Sequence, residues 1–416
     1  MYKEITRCRI CGNQHLVPLV DLGSMALTGI FPKERSSSVG SGPLELVKCA
    51  EDPHSNNCGL AQLRHNFALD QLYGLNYGYR SGLNQSMVHH LHSKVQKILE
   101  RVELNPGDAV IDIGSNDSTL LQAYPKMDIQ LIGIDPTGAK FKKFYPSHID
   151  LIIDFFPCKN LLSKLPKGKA KIITSIAMFY DLEDPLSFVQ NIYDVLDEKG
   201  VWVFEQSYMP KMLEMNAYDT ICHEHLEYYS LKQIHYMMEK VGFKIIDVEF
   251  NSTNGGSFSV MVARKDSPLQ ANETLVNHIL QEEIKKDLHT LAPYQKFQQR
   301  IKKHKDDLLS FIHEKHEQEN TIIGYGASTK GNVILQYCGI TEKEIPFIAE
   351  VNEDKFGSFT PGSLIPIISE KEAKKMRPDI FMVLPWHFRD NILKREESYL
   401  QDGGHLFFPL PQLEVV

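Results

Sequence analysis

The chain has 416 residues, 42% hydrophobic and 24% charged, which is more sequence than one ordinary domain core organises and too polar for a membrane-embedded protein. Its 53 acidic side chains outweigh 45 basic ones, for a formal charge of -8. A net acidic surface is poorly suited to displacing the counterions of a polyanion, so nucleic acid is set aside and a small-molecule substrate is expected.

The first residues, MYKEITRCRICG, lack the apolar core of an export signal, and no apolar run is long enough to cross a bilayer. A cytoplasmic protein that engages no membrane is expected. Seven cysteines, an odd number, then read as reduced thiols or metal ligands rather than a disulfide framework. Cys8 and Cys11 form a Cys-x-x-Cys on one tight turn, and Cys49 with Cys58 offers a second pair, so four thiolates could close a tetrahedral structural zinc site. Eight residues separate the second pair, and His54 between them could replace one thiolate. The alternative is two unrelated pairs of buried thiols.

Met87, Leu91, Val95, Ile98 and Val102 recur at helical spacing and predict a lead-in helix. DAVIDIGSND then gives a strand over Ala109–Ile113, a turn at Gly114 and Ser115, and a helix start capped by Asn116 or Asp117. The next run, IQLIGID, ends on Asp135, placed where an acidic residue meets a ribose diol in Rossmann-like sheets. IDLIIDFF, carrying Asp154 and Phe155, KIITSIAMFY, ending on Tyr180, and VWVFEQSY come next, separated by segments of helix length. Such alternation predicts a parallel sheet with right-handed crossovers. GSND lacks the second and third glycines of a dinucleotide loop and so offers no tight pyrophosphate cradle. S-adenosylmethionine has no phosphate and needs only backbone room and a ribose carboxylate, so the missing glycines favour it over NAD.

YDTICHEHLEYYS, from Tyr218 to Ser230, concentrates His223, Glu224 and His225. In an extended segment the two histidines share one side and Glu224 takes the other, whereas a turn lets all three converge. Histidine titrates near neutrality and can accept a proton that a glutamate helps to direct. The segment lacks the His-Glu-x-x-His spacing of a hydrolytic zinc site, and a merely polar loop is the plainer alternative. Asn254 to Ser257, NGGS, predicts a loop or bulged strand passing close to a ligand.

Leu275, Ile279, Ile284, Leu288 and Leu291, then a charged stretch to Glu319, predict two amphipathic helices. A second strand, glycine turn and helix start appear in NTIIGYGASTKGN: Gly324 and Gly326 admit a close ligand, Ser328 and Asn332 flank Lys330, and Lys330 can meet a phosphate. IPFIAEVNEDK then repeats the strand-end acid at Glu350. Glycines serving helix packing alone are the alternative. LPWHFRDNI sets Trp386, His387 and Arg389 at a strand end, where Trp386 could stack on a base or fill a core and Arg389 could clamp phosphate.

IDIGSNDSTLL, MFYDLEDP, GVWVFEQSY, YDTICHEHLEYYS and NGGS, in this order behind a cysteine-rich start and ahead of GYGASTKGN and TPGSLIPI, resemble the nucleotide-sugar C-methyltransferases of branched deoxysugar biosynthesis. The resemblance covers nearly the whole chain. It implies a zinc-binding domain over 1–70, a Rossmann-like, class I S-adenosylmethionine-binding α/β domain over 71–262, and a second Rossmann-like α/β domain over 263–416 that holds the sugar nucleotide. It also implies His225 as catalytic base with Glu224 in support, His223 ranking lower, and Tyr79 near the sugar. Cys222 departs from the family, where tyrosine is frequent, which leaves the stereochemical outcome open. The expected reaction is C-methylation of a nucleotide-linked 4-keto-deoxysugar through an enolate. The rivals are an O-methyltransferase and an NAD(P)-dependent oxidoreductase using GYGAS. The sequence leaves the sugar, the nucleotide, the methylated carbon and the oligomeric state open, a monomer included.

Overall fold

The computed structural model describes residues 2–51, 57–68, 72 and 79–416. The N-terminal segment has β1 (Tyr2–Glu4), β2 (Leu16–Ala26), β3 (Ser41–Cys49), β4 (Ala61–Leu63) and β5 (His65–Phe67). β1 pairs with β5, while β2, β3 and β4 form an antiparallel sheet completed by a distant strand, β11 (Glu227–Tyr228). That guest strand lies directly after the HEH segment. The sequence reading took the N-terminal region as a unit apart and missed it, because a two-residue strand leaves no period to detect.

The central sheet contains β6 (Ala109–Ile113), β7 (Gln130–Ile134), β8 (Ile149–Ile152), β9 (Ala170–Ile176), β10 (Leu196–Ser207), β12 (Phe243–Asn251) and β13 (Ser257–Arg264), in the order β12-β13-β10-β9-β6-β7-β8. The five strands β6 to β10 run parallel, and β13 runs antiparallel to β10. All five residues of β6 are buried, as a strand covered on both faces requires. Helix α1 (Gln85–Leu99) buries Met87, Leu91, Val95 and Ile98, the stripe that the spacing predicts. No α-helix starts at Asn116 or Asp117; a 3-10 turn at Leu121–Ala123 takes its place. Asn116 and Ser118 lie at positive φ, and the Asn116 and Asp117 side chains accept hydrogen bonds from Ser81 N and Gly82 N instead of capping a helix.

Beyond α2 (Leu231–Val241) come two helices, α3 (Glu273–Lys285) and α4 (Ala292–Glu317), with β14 (Ile322–Tyr325) and α5 (Thr329–Cys338) after them. Helix α3 buries Val276 and Ile279 but leaves Ile284 exposed and ends before Leu288 and Leu291, so the expected stripe holds only in part. The third sheet adds β15 (Ile348–Glu350), β16 (Ile367–Ser369), β17 (Ile380–Val383), β18 (His405–Phe408) and β19 (Glu414–Val415), ordered β16-β15-β14-β17-β18-β19 and parallel except for β19. β6 and β14 each sit between strands reached by crossovers leaving in opposite directions. Open α/β sheets bind ligands at that switch point, and both glycine turns lie there. One apolar core joins Leu44 and Leu63 of the N-terminal sheet to Ile221, Ile334 and Phe381, so the HEH segment lies where the sheets meet.

Candidate functional site

The four predicted sulfur ligands converge: Sγ atoms of Cys8 and Cys58 are 3.4 Å apart, those of Cys11 and Cys49 3.5 Å, and all four lie within 4.8 Å of one another. Such a set fits one tetrahedral zinc ion with no position left for chemistry. His54 lies outside the described residues. Arg9, between the first two cysteines, donates to the Leu63 carbonyl at 2.7 Å and pairs with the buried Glu227 carboxylate at 3.6 Å. Leu63 N donates to Leu226 O at 2.8 Å, so the knuckle braces the strand beginning two residues past His225.

A cleft of about 890 Å³ opens between the central and third sheets. On the central side Gly114, at φ +74°, turns the chain away from β6, and Asn116 N donates to Asp135 Oδ2 at 2.8 Å. Thr137 gives the other oxygen its N–H at 2.7 Å and its hydroxyl at 2.5 Å. A carboxylate offers about four acceptor sites, so Asp135 keeps one for a ligand hydroxyl. Ser115, Asp154, the half-exposed Phe155 and Tyr79 line the same side. So does Asp112, whose carboxyl burial pushes up to about 7.

The opposite wall repeats this arrangement. Gly326, at φ +85°, lies against Pro385, and Ala327 N donates to Glu350 Oε2 at 2.9 Å. Glu350 Oε1 accepts from Val351 N and Asn352 N at 2.7 and 2.8 Å. Here the chain does continue into a regular helix: Ser328 caps α5 through Gly331 N at 3.0 Å, and Lys330 stands in its first turn. Lys355, Arg395 and Asn254 line this wall too, with Ser257 nearby.

His225 lies between the walls. Its Nδ1 donates to the Thr220 carbonyl at 2.9 Å, which leaves Nε2 as the lone-pair nitrogen, and its ring meets Tyr180 edge-on at 4.3 Å between centroids. Burial first, then the Lys330 charge, push its pKa down to about 3, so the ring is neutral at pH 7. Tyr180 lies on a short 3-10 turn just past β9 rather than in it. Glu224 lines the cleft but accepts from Thr28 Oγ1 at 3.4 Å; the ring of His225 is oriented by Thr220 instead.

Four expected residues, and Trp386, do not line the cleft. His223 is fully buried, with Nε2 toward Gly42 O at 3.3 Å and its ring edge-on to Phe67. Asp117 holds Gly82 N and Thr119, Asn332 donates to Thr28 O at 2.7 Å, and Arg389 forks onto Glu414 at 2.6 and 2.9 Å. Trp386 is 4% exposed and donates to Asp219 Oδ2 at 2.8 Å, so it fills the interior instead of offering a stacking face. His387 does line the cleft. The sequence reading missed Gln206, a cleft residue 1% exposed whose amide N and O both lack a hydrogen-bond partner among the described residues. Its place at the C-terminal end of a parallel strand was the available signal.

Three family models match: "C-methyltransferase C-terminal domain" over residues 252–411, "Methyltransferase domain" over 87–248, and "Putative zinc binding domain" over 8–73. C-methyltransferase NovU of Streptomyces niveus is 27% identical over 419 residues, covering 100% of this chain and 97% of that one. Solved structures similar in part include LepI in complex with SAM, with a TM-score of 0.34, 15% identity, and 44% of this chain and 54% of that chain covered. The plantazolicin methyltransferase BpumL in complex with SAH has a TM-score of 0.34 and 9% identity, with 42% and 82% covered.

Proposed function

Since the chain belongs to the S-adenosylmethionine-dependent C-methyltransferase family, we propose that it methylates a ring carbon of a nucleotide-linked 4-keto-deoxysugar through an enolate. The observation that carries this reading is the charge division of one cleft. Asp112, Asp135 and Asp154 line the central wall, where the glycine turn leads into no helix N-terminus. Lys355, Arg395 and the N-terminus of α5 line the other, beside the partner carboxylates Glu350 and Glu370. The first wall suits a cationic, phosphate-free ligand and the second an anionic diphosphate.

S-adenosylmethionine, when bound, supplies an electrophilic methyl group carried on a sulfonium. In this reading Asp135 accepts from the donor's ribose, Gly114, Ser115 and Asn116 give its amino-acid end backbone room, and Phe155 covers its base. Across the cleft Gly326, Ser328 and Glu350 hold the nucleotide. Tyr79, Tyr180, Asn254, Ser257 and His387 surround the sugar. The residue divisions 1–70, 71–262 and 263–416 then correspond to zinc staple, donor site and sugar-nucleotide site.

The hydrogen on the carbon beside the ketone is acidified by that carbonyl, and neutral His225 removes it with Nε2 while Thr220 fixes the ring's tautomer. A bound diphosphate raises the basicity of the imidazole when substrate is in place. Holding carbanion and methyl group in line across one cleft supplies much of the rate. The test is incubation with carbon-13 methyl-labelled donor and a panel of nucleoside-diphosphate 4-keto sugars. NMR should show the label bonded to a ring carbon. Label on oxygen, or none transferred from any sugar, contradicts the reading.

A further inference from the structure

Lys330 does not reach outward as a phosphate-binding lysine would. It extends from the first turn of α5, which packs on the short helix Tyr218–Thr220, and its Nζ donates to the Asn254 carbonyl at 2.9 Å. Among the described residues, Asn254 O is the hydrogen-bond acceptor for one of its three ammonium hydrogens. Lys330, His225, His387, Cys222 and Asn254 line the same stretch of cleft.

The neighbouring segment ties the ammonium to the base. Asp219 is fully buried, its Oδ2 fixed by Trp386 Nε1 and its Oδ1 without a hydrogen-bond partner among the described residues. Asp219 provides a countercharge for Lys330 beyond ion-pair contact. The very next residue, Thr220, supplies the carbonyl that holds His225 Nδ1. One three-residue turn therefore sets both the countercharge of Lys330 and the tautomer of His225. All three side chains line one cleft, and after burial the Lys330 charge is what makes His225 and His387 harder to protonate.

We propose that the Lys330 ammonium donates to the sugar's keto oxygen and stabilises the enolate that His225 generates, leaving the diphosphate to Lys355, Arg395 and the α5 backbone. This rests on the reaction proposed above. His225 Nε2 takes the proton, the C–H pair becomes the C=C bond, and the carbonyl π pair moves onto oxygen beside Lys330 Nζ. The enolate pair then returns to re-form C=O as the carbon bonds the methyl group, and the C–S pair stays on sulfur. The proton on His225 leaves to water. A preorganised donor aimed at a developing oxyanion is worth roughly 10²- to 10³-fold in rate.

The test separates enolisation from binding. Wild type, Lys330→Gln and Lys330→Arg are incubated in D2O, without methyl donor, with saturating nucleoside-diphosphate 4-keto-6-deoxyhexoses. NMR reads deuterium uptake at the carbon beside the ketone, calorimetry reads affinity for the same sugars, and S-adenosylhomocysteine binding at the other wall reports folding. The expected result is exchange in wild type, a loss of 100-fold or more in Lys330→Gln with sugar affinity within about threefold, and partial recovery in Lys330→Arg. Exchange in Lys330→Gln within threefold of wild type at saturation, whether or not affinity falls, overturns the assignment of Lys330 alone. Absence of exchange in wild type with every sugar overturns the enolate reaction itself.

Discussion

The two strand–glycine–acid units share one geometry and diverge immediately after the glycine. In both, a backbone N–H of the turn donates to a carboxylate at the end of the next strand, Asn116 to Asp135 and Ala327 to Glu350, and three protein donors occupy each carboxylate. After Gly114 the chain makes a 3-10 turn at Leu121–Ala123; after Gly326 it enters the ten-residue helix α5 with Lys330 in its first turn. An oriented helix terminus carries roughly half a positive charge, so the second unit attracts phosphate and the first does not. A shared fold thus gives two walls of different electrostatic character, and His225 lines the cleft between them.

The largest effect belongs to the residue between the units. His225→Asn should lower turnover by roughly 10²- to 10⁴-fold while S-adenosylhomocysteine and the sugar nucleotide bind as before, read by calorimetry and steady-state kinetics. In the free enzyme the acid limb of kcat/KM should lie well below the ordinary histidine value of about 6.5, because burial and Lys330 hold the ring neutral.

His223 touches neither unit and serves as the contrast. Burial pushes its pKa down to about 4, so the unfolded chain binds the additional proton between about pH 6.5 and 4. Stability is full above the unfolded value and falls as pH drops through that window, by up to roughly 3 kcal/mol from this group. Urea unfolding should show that slope diminished in His223→Gln, with the acid limb of catalysis unmoved.

Asp135→Asn should weaken S-adenosylhomocysteine about 10- to 100-fold and leave the nucleotide sugar unaffected, while Glu350→Gln should do the reverse. Equal losses of both ligands in either variant would break the division between the units. The smallest effects come from the turns. Gly326→Ala sets a methyl group 2.7 Å from the Pro385 ring at φ +85°, and Gly114→Ala sets one 3.1 Å from the flexible Met178 side chain at φ +74°. Both should lower stability by about 1–3 kcal/mol in thermal unfolding, Gly326→Ala more, since the proline ring yields less.

Much of this was legible in the sequence where a feature repeats or is chemically singular. β6 to β10, α1 and the paired amphipathic helices came from hydrophobic period, and the four cysteines from their chemistry. Side-chain allegiance within polar motifs was not legible. Asn116 and Asp117 carry the signature of a helix cap yet bind the chain at Ser81 and Gly82. His223 and His225 look equivalent two residues apart, but one packs on Phe67 and the other faces the cleft. Arg389 reads as a phosphate clamp and is satisfied by Glu414, 25 residues on. Such choices depend on tertiary partners that no local pattern encodes. Lys330 stands out in the sequence beside its glycines, but the groups whose charge or protonation it affects, Asp219 and His225, are distant in sequence.

The most direct measurement is a structure of the enzyme with S-adenosylhomocysteine and a nucleotide-linked keto sugar together. The account predicts the thioether nucleoside against Asp135, the diphosphate at the N-terminus of α5, and the carbon beside the ketone within about 3.5 Å of His225 Nε2. A diphosphate lodged at the Gly114 turn, or a sugar ring beyond reach of that nitrogen, would contradict it.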